Sequence, residues 1–315
     1  GGSQTVQPKE ESNRLALRLL NELEIKPNEV EKIQAMTAEQ LKLFEQKMSD
    51  PNHPYTQDLD FALQAHAKPC IDGVHIPEEP IAAIRKGCAK DIDVVLGCSD
   101  NESFGFDVIY PGLREPDFDL EQAVHVSHKD WIRKSSFLDV TEESAKQEAR
   151  HLMEAYKQAF DDKGLESTPA ECLMRSEGDK WFWYPTVVLA EALSRHNEKV
   201  YNYVFAFPSP TPAGNSSYHG SSTPFIFGWH NTPAGKMAAG DSPDVDRVAN
   251  FIFASLTNFI KFGDPAMNTE QGAWPQYGQE RNTLVIDANN EVVKDYNSLI
   301  RLAWNKVEPG IPGNL

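Results

Sequence analysis

The sequence predicts an α/β fold, with a mostly parallel central sheet flanked by helices, on three observations. Residues 92–96, from Ile92 to Leu96, read as an apolar, β-branched run of the kind found in a strand covered on both faces. Residues 200–207 alternate large apolar and aromatic side chains, the period-2 pattern of a strand. Helical segments lie between and after these runs, and strands alternating with helices build a parallel sheet.

The elements follow in chain order. Residues 10–24 place Leu15, Leu19 and Leu23 on one helical stripe with Leu20 beside it, bounded by Pro8 or Ser12 and by Pro27. Residues 37–49 open with Thr37-Ala38-Glu39-Gln40, the reciprocal capping pattern of a helix start. Residues 50–60 read as a loop around Pro51, Asn52 and Pro54, residues 69–73 as a turn, and 80–87 as a short helix. Helices are expected near 118–133, over 141–163, and from Trp181 to about His196. Pro208 to Asn215 is a loop rich in Pro and Gly. A helix over 243–262 stops at Gly263-Asp264-Pro265, residues 284–286 form a short strand, and 295–306 a last helix.

Composition narrows the function. The chain has 315 residues, enough to bury roughly 75% of its unfolded surface in one large domain or two smaller ones. Its 47 acidic and 30 basic residues give a net charge of −17, which repels phosphate backbones and anionic membranes and argues against nucleic-acid partners. The ordinary reason for such acidity is solubility. Cys70, Cys88, Cys98 and Cys172 form no CxxC pair or Cys/His cluster, so no metal or other cofactor is expected, and nothing in their spacing demands disulfides. No apolar run reaches 18 residues, so no membrane span is expected, and Gly1-Gly2-Ser3-Gln4 does not read as a signal peptide. Glycosylation sequons fall at Asn101 and Asn215, beside the residues singled out below. A glycan there would obstruct them, which tilts the reading toward the cytoplasm and away from a secreted, glycosylated form.

Two residues carry the chemistry. Glu102 sits on a loop directly after the first buried strand, and His219 sits on a loop after the second. Taken singly, a solvated loop carboxylate and a turn histidine are the ordinary readings. Together, an acid before a histidine, both at carboxyl ends of strands, follow the chain order of an α/β-hydrolase triad. In that chemistry a neutral histidine takes the proton of a serine hydroxyl, and a fixed carboxylate orients and stabilises the imidazolium.

Several segments, in order, carry a resemblance to a known family. Pro69-Cys70-Ile71-Asp72-Gly73 resembles a proline-x-x-aspartate-glycine turn. Gly97 to Ser103 resembles a strand-end glycine followed by Asp-Glu-Gly, with Asn101 in place of Asp and Ser103 in place of Gly. His219-Gly220 followed by Pro224-Phe225-Ile226-Phe227-Gly228 resembles a His-Gly-x-Glu-x-Pro segment, with Ser222 at the acidic position. Asn258 to Pro265 and Trp274-Pro275-x-Tyr277 follow at the matching interval. From first helix to last, the chain looks like the C-terminal part of a type-B carboxylesterase, the family of cholinesterases and para-nitrobenzyl esterases. The resemblance implies an α/β-hydrolase fold over residues 1–315, forming the C-terminal portion of one domain, with a helical, cap-like insertion over roughly 110–196. It implies carboxylic ester hydrolysis of a small-molecule substrate, with Glu102 as acid and His219 as base.

The serine is missing. No Gly-x-Ser-x-Gly pentapeptide occurs, Ser3 is preceded by no strand, and Ser216, Ser217 and Ser221 lie too near His219 to form the elbow. An N-terminal companion segment, from a nicked backbone or a split gene, is therefore expected to complete the sheet and to bring the serine and the oxyanion loop. A simple truncation would leave sheet edges unpaired. Phe104, Phe106 and Tyr218 flank the triad positions and are candidates to line an acyl or alcohol pocket. Trp181, Trp183 and Tyr184 are expected on a core helix face, with a cap over the active-site gorge as the alternative. Asp72, His66, His75, His125, His128 and His230 are expected to be structural or at the surface. Two other readings remain: a non-catalytic, cholinesterase-like binding or adhesion module, and a self-sufficient hydrolase using an unconventional serine.

Overall fold

The computed structural model describes residues 6–48, 69–104, 117–134, 141–211, 214–266 and 274–307. The loop at 50–60, His66, Phe106 and the side chains of Leu15 and His128 lie outside the described residues. The chain divides into two compact units, Gly2–Pro80 and Ile81–Leu315.

In the smaller unit β1 (Gln7–Pro8) pairs in parallel with β2 (Cys70–Ile71), and α1 (Lys9–Glu22), α2 (Glu31–Gln34) and α3 (Ala38–Met48) lie between them in sequence. The stripe on α1 is rotated from expectation: Leu20 is buried, while Leu19 and Leu23 are half-buried. The capping pattern before α3 is realised in both directions. Thr37 N–H donates to Gln40 Oε1 at 2.8 Å, and Gln40 N–H donates to Thr37 Oγ1 at 3.2 Å. Asp72 Oδ1 accepts the N–H groups of Val74, His75 and Ile76 at 2.8 to 3.0 Å, with Gly73 at φ +78°. These bonds and the His75 imidazole hold its carboxyl far below the usual range, a structural use of that aspartate.

The larger unit contains α4 (Pro80–Arg85, beginning at the boundary), β3 (Val94–Ser99), α5 (Leu120–Lys134), α6 (Glu142–Asp162), α7 (Pro169–Gly178), a π turn (Asp179–Trp183) and α8 (Tyr184–Ser194). Then come β4 (Val200–Phe205), β5 (Ser209–Thr211), β6 (Gly214–Ser216), α9 (Thr223–Ile226), α10 (Pro233–Ala239), α11 (Pro243–Phe262), β7 (Asn282–Ile286), β8 (Glu291–Lys294) and α12 (Ser298–Lys306). The central sheet has the order β3-β4-β7-β8; the first three strands are parallel and β8 is antiparallel. β5 and β6 form a separate small ribbon.

Side chains alternate across this sheet as period 2 requires. Cys98 and Val204 face a core built with α6, α7, α8 and α12, where Leu152, Tyr156, Leu173, Tyr184 and Trp304 are fully buried. Tyr201, Phe205, Leu284 and Ile286 face the opposite core, against Phe225, Val248 and Ile252 of α9 and α11. Local signals set the helix ends. Thr141 and Thr168 accept N–H bonds at the starts of α6 and α7, and Gly263 at φ +71° closes α11 with its N–H on Phe259 O at 2.8 Å.

Two expectations need correcting. The first strand begins at Val94, because Asp93 interrupts the apolar run and its carboxylate lies 3.1 Å from Lys199 Nζ; Ile92 is 59% exposed. Nor is β3 covered on all sides. Among the described residues it is an edge strand, and Val94 to Gly97 are only half-buried. The expectation also passed over α7, β8 and the β5–β6 ribbon. Among the described residues no helix is long and apolar enough to cross a membrane, and all four cysteines are free thiols.

Candidate active site

Parallel pairing of β3 with β4 in the register Ser99↔Phe205 brings their carboxyl ends side by side. The turn 100–104 leaves β3 there, and the chain beyond β4 returns through the β5–β6 ribbon to place residues 217–222 next to it. Two backbone bonds fasten turn to loop: Asp100 N–H to Phe205 O at 2.8 Å and Asn101 N–H to Ser217 O at 2.9 Å. The Ser217 hydroxyl also donates to Phe205 O. Gly97 is required by a close approach: a Cβ there would lie 2.5 Å from the Tyr203 ring and backbone. Gly220, at φ +84°, permits the bend after His219.

The structure brings together the two residues separated by 117 positions. His219 Nδ1 lies 2.7 Å from Glu102 Oε2. The other carboxylate oxygen, Oε1, accepts the Ser99 N–H at 2.6 Å. The Glu102 side chain is 7% exposed, whereas the imidazole is 54% exposed. A carboxylate on Nδ1 assigns the proton to that nitrogen and leaves Nε2 as the basic atom of the ring.

A cavity of about 300 Å³ opens at the pair, lined by Gly97, Cys98, Ser99, Phe182, Thr186, Tyr203, Gly220 and Ser222 together with Glu102 and His219. The Phe182 ring centroid lies 4.7 Å from that of His219, tilted by 38°. Burial, reinforced by the Glu102 charge, drives the Cys98 thiol well above its ordinary pKa, so it is no thiolate nucleophile. Burial likewise pushes the Tyr203 phenol up to about 12. Phe104 and Tyr218 flank the pair, both half-buried, and neither is among the residues lining the cavity.

Phe182, Thr186 and Tyr203 were not singled out from sequence. Trp183 and Tyr184 are buried in the core as expected, and Trp181 is exposed. The π turn, closed by Tyr184 N–H on Asp179 O, adds a residue to the helical turn and so rotates Phe182, not its aromatic neighbours, toward His219. Thr186, which donates to Phe182 O at 2.8 Å, follows on the same face. The only available signal was the aromatic cluster itself. His230 is buried, with Nε2 3.1 Å from Asp246, away from this cavity.

Three comparisons bear on this arrangement. The model of the carboxylesterase family matches residues 4–301. The para-nitrobenzyl esterase of Bacillus subtilis is 25% identical over 298 residues, covering 94% of this chain and 53% of that protein. Human neuroligin-3 is 23% identical over 271 residues, covering 76% of this chain and 30% of that protein. The solved carboxylesterase of Geobacillus stearothermophilus superposes with a TM-score of 0.70 at 20% identity, over 96% of this chain and 56% of that one. The fold is that of an α/β-hydrolase, and the chain spans about half the length of the esterase it matches.

Proposed function

This chain belongs to the carboxylesterase family, and on that premise we propose that it supplies the acid and the base of a Ser-Glu-His triad that hydrolyses carboxylic esters. His219 takes the proton of a serine hydroxyl through Nε2, the serine attacks the ester carbonyl, and the imidazolium returns the proton to the leaving alcohol. Glu102 holds the ring in the required tautomer and balances its transient charge. Water then repeats the sequence on the acyl-serine. The serine and the oxyanion donors come from a segment outside this sequence, since no Gly-x-Ser-x-Gly is present. The hydroxyls of Ser217 and Ser103 are committed to backbone carbonyls of Phe205 and Met174, which argues against either as nucleophile. The substrate is a small-molecule ester, entering at the cavity beside His219.

The observation that carries this reading is the 2.7 Å contact between a buried, doubly bonded carboxylate and a half-exposed imidazole. The match to neuroligin-3, a relative not named as an esterase, lends weight to a second reading, a binding module of the same fold. Labelling with a fluorophosphonate probe separates the readings. Label on an accompanying segment that carries a Gly-x-Ser-x-Gly serine supports the triad. No label favours the binding module, and label on a serine of this chain contradicts the division of roles.

A further inference from the structure

The turn that carries Glu102 is gripped on its far side by a polar network that runs from half-buried Asp100 and Arg175 to buried Asp179 and Tyr156. Asp100, two residues before Glu102, accepts from both terminal nitrogens of Arg175, at 3.2 and 2.8 Å. Tyr296 donates its hydroxyl to the same carboxylate. Arg175 Nε lies 3.5 Å from Asp179, and Asp179 accepts the Tyr156 hydroxyl at 2.7 Å. Trp304 Nε1 donates to that hydroxyl at 2.9 Å. The bonds therefore run from the turn across α7, α6 and α12. One residue past Glu102, the Ser103 hydroxyl donates to Met174 O, and a Cβ on Gly178 would lie 2.8 Å from Ser103 Oγ. Helix α7 thus holds the turn at residues 100 and 103, on both sides of the catalytic acid.

Resting on the ester-hydrolase reading above, we propose that Asp100, clasped by Arg175, is a positioning residue that keeps Glu102 aimed at His219. A forked guanidinium–carboxylate contact fixes orientation as well as distance, as a single hydrogen bond does not. Arg175 is 15% exposed, so loosening Asp100 leaves a nearly dry charge short of a partner. Burial alone would push the Asp100 carboxyl up, but the charge and hydrogen bonds of Arg175, with Tyr296, outweigh it and hold the group ionised down to about 2. Asp100 touches no reacting atom. Its effect passes through the backbone of the turn, and a displacement of about 1 Å at a catalytic group can lower a rate by about 10²-fold.

The test compares the parent with Asp100→Asn and Tyr296→Phe. In the assembled enzyme, kcat and KM are measured for a small aryl ester. In the same assembled protein, the low-field proton NMR signal of the Glu102–His219 hydrogen bond is recorded, assigned by its loss in Glu102→Gln. Asp100→Asn lowers kcat roughly 10- to 100-fold with KM nearly unchanged, and broadens or removes the low-field signal. Tyr296→Phe moves both readings the same way by less. A folded Asp100→Asn with parental kcat and an intact signal overturns the proposal, even if its Tm has fallen. If Asp100→Asn does not fold, Tyr296→Phe decides on the same two readings. If the parent itself turns over no ester, the hydrolase reading fails alone, and the NMR comparison still decides whether Asp100 positions the pair.

Discussion

The turn holding Glu102 and the loop holding His219 meet in one hydrogen bond, yet they rest on different kinds of support. The acid turn buries Glu102 and Ser103, with the carboxylate bonded to the Ser99 N–H and the flanks held by Arg175 on Asp100 and by Met174 on Ser103. The histidine loop leaves more than half of its ring exposed. It is steadied by the Phe182 ring, the bend at Gly220, and the buried Phe225 that anchors α9 between Phe205 and Phe207. The difference matches the two tasks. An orienting carboxylate works best dry and fixed, where its field is least screened. A proton carrier must present one nitrogen to groups beyond its own loop.

The largest expected effect strikes the exposed partner. His219→Ala lowers ester turnover in the assembled enzyme by about 10⁶-fold and costs about 1–3 kcal/mol of stability, because the buried Glu102 carboxylate loses its ring partner; turnover assays and thermal melts check both halves. Glu102→Gln is next, lowering kcat by about 10⁴-fold because the amide no longer enforces the tautomer. A kcat near the parental value would reduce Glu102 to a structural carboxylate. Gly178→Ala probes the grip on the acid turn. Its methyl group meets the Ser103 backbone N at 3.0 Å and its hydroxyl oxygen closer still, and costs about 1–3 kcal/mol of stability by overpacking, read from urea midpoints.

How far such sites can be read from sequence depends on the range of the signal. The helix over 243–262 matches at both ends because Pro243 and Gly263 are local punctuation, and the Thr37–Gln40 cap is likewise read within four residues. The approach of Glu102 to His219 spans 117 positions; the chain order, the strand-end placement and the resemblance of the segments around each residue pointed to it. That β3 has one strand neighbour among the described residues could not be read, since an apolar run looks the same whether one neighbour or two pair with it. Phe182 was hidden by the π turn, which breaks the 3.6-residue period on which a helix-face assignment rests. The Asp100–Arg175 clasp joins residues 75 apart with no motif to announce it.

Two smaller effects sharpen the comparison. Phe182→Ala removes the aromatic support of the His219 ring, an interaction of about 1 kcal/mol, so kcat falls by less than about tenfold. On the acid side, burial raises the Asp179 carboxyl to about 6, against the opposing pull of Arg175 and the Tyr156 bond, with Asp100 adding to the rise. Between its ordinary value of 3.8 and about 6, the unfolded chain has released this proton while the folded one keeps it. The contribution of Asp179 to stability is therefore present at low pH and lost as pH rises through about 6. Asp100 acts in the opposite sense, its contribution disappearing only as pH falls toward about 2. Urea unfolding of parent and Asp179→Asn between pH 4 and 7 checks this: the parent declines relative to the variant as pH rises. Parallel curves would remove the Asp179 titration from the account.

The claim that Glu102 and His219 act as one unit is tested most directly by a double-mutant cycle on ester turnover. The account predicts that Glu102→Gln, which alone lowers kcat by about 10⁴-fold, lowers it no further once His219→Ala is in place, because the carboxylate acts only through the ring. A double variant slower than His219→Ala by a further factor of about ten or more would contradict it, showing two residues that contribute independently.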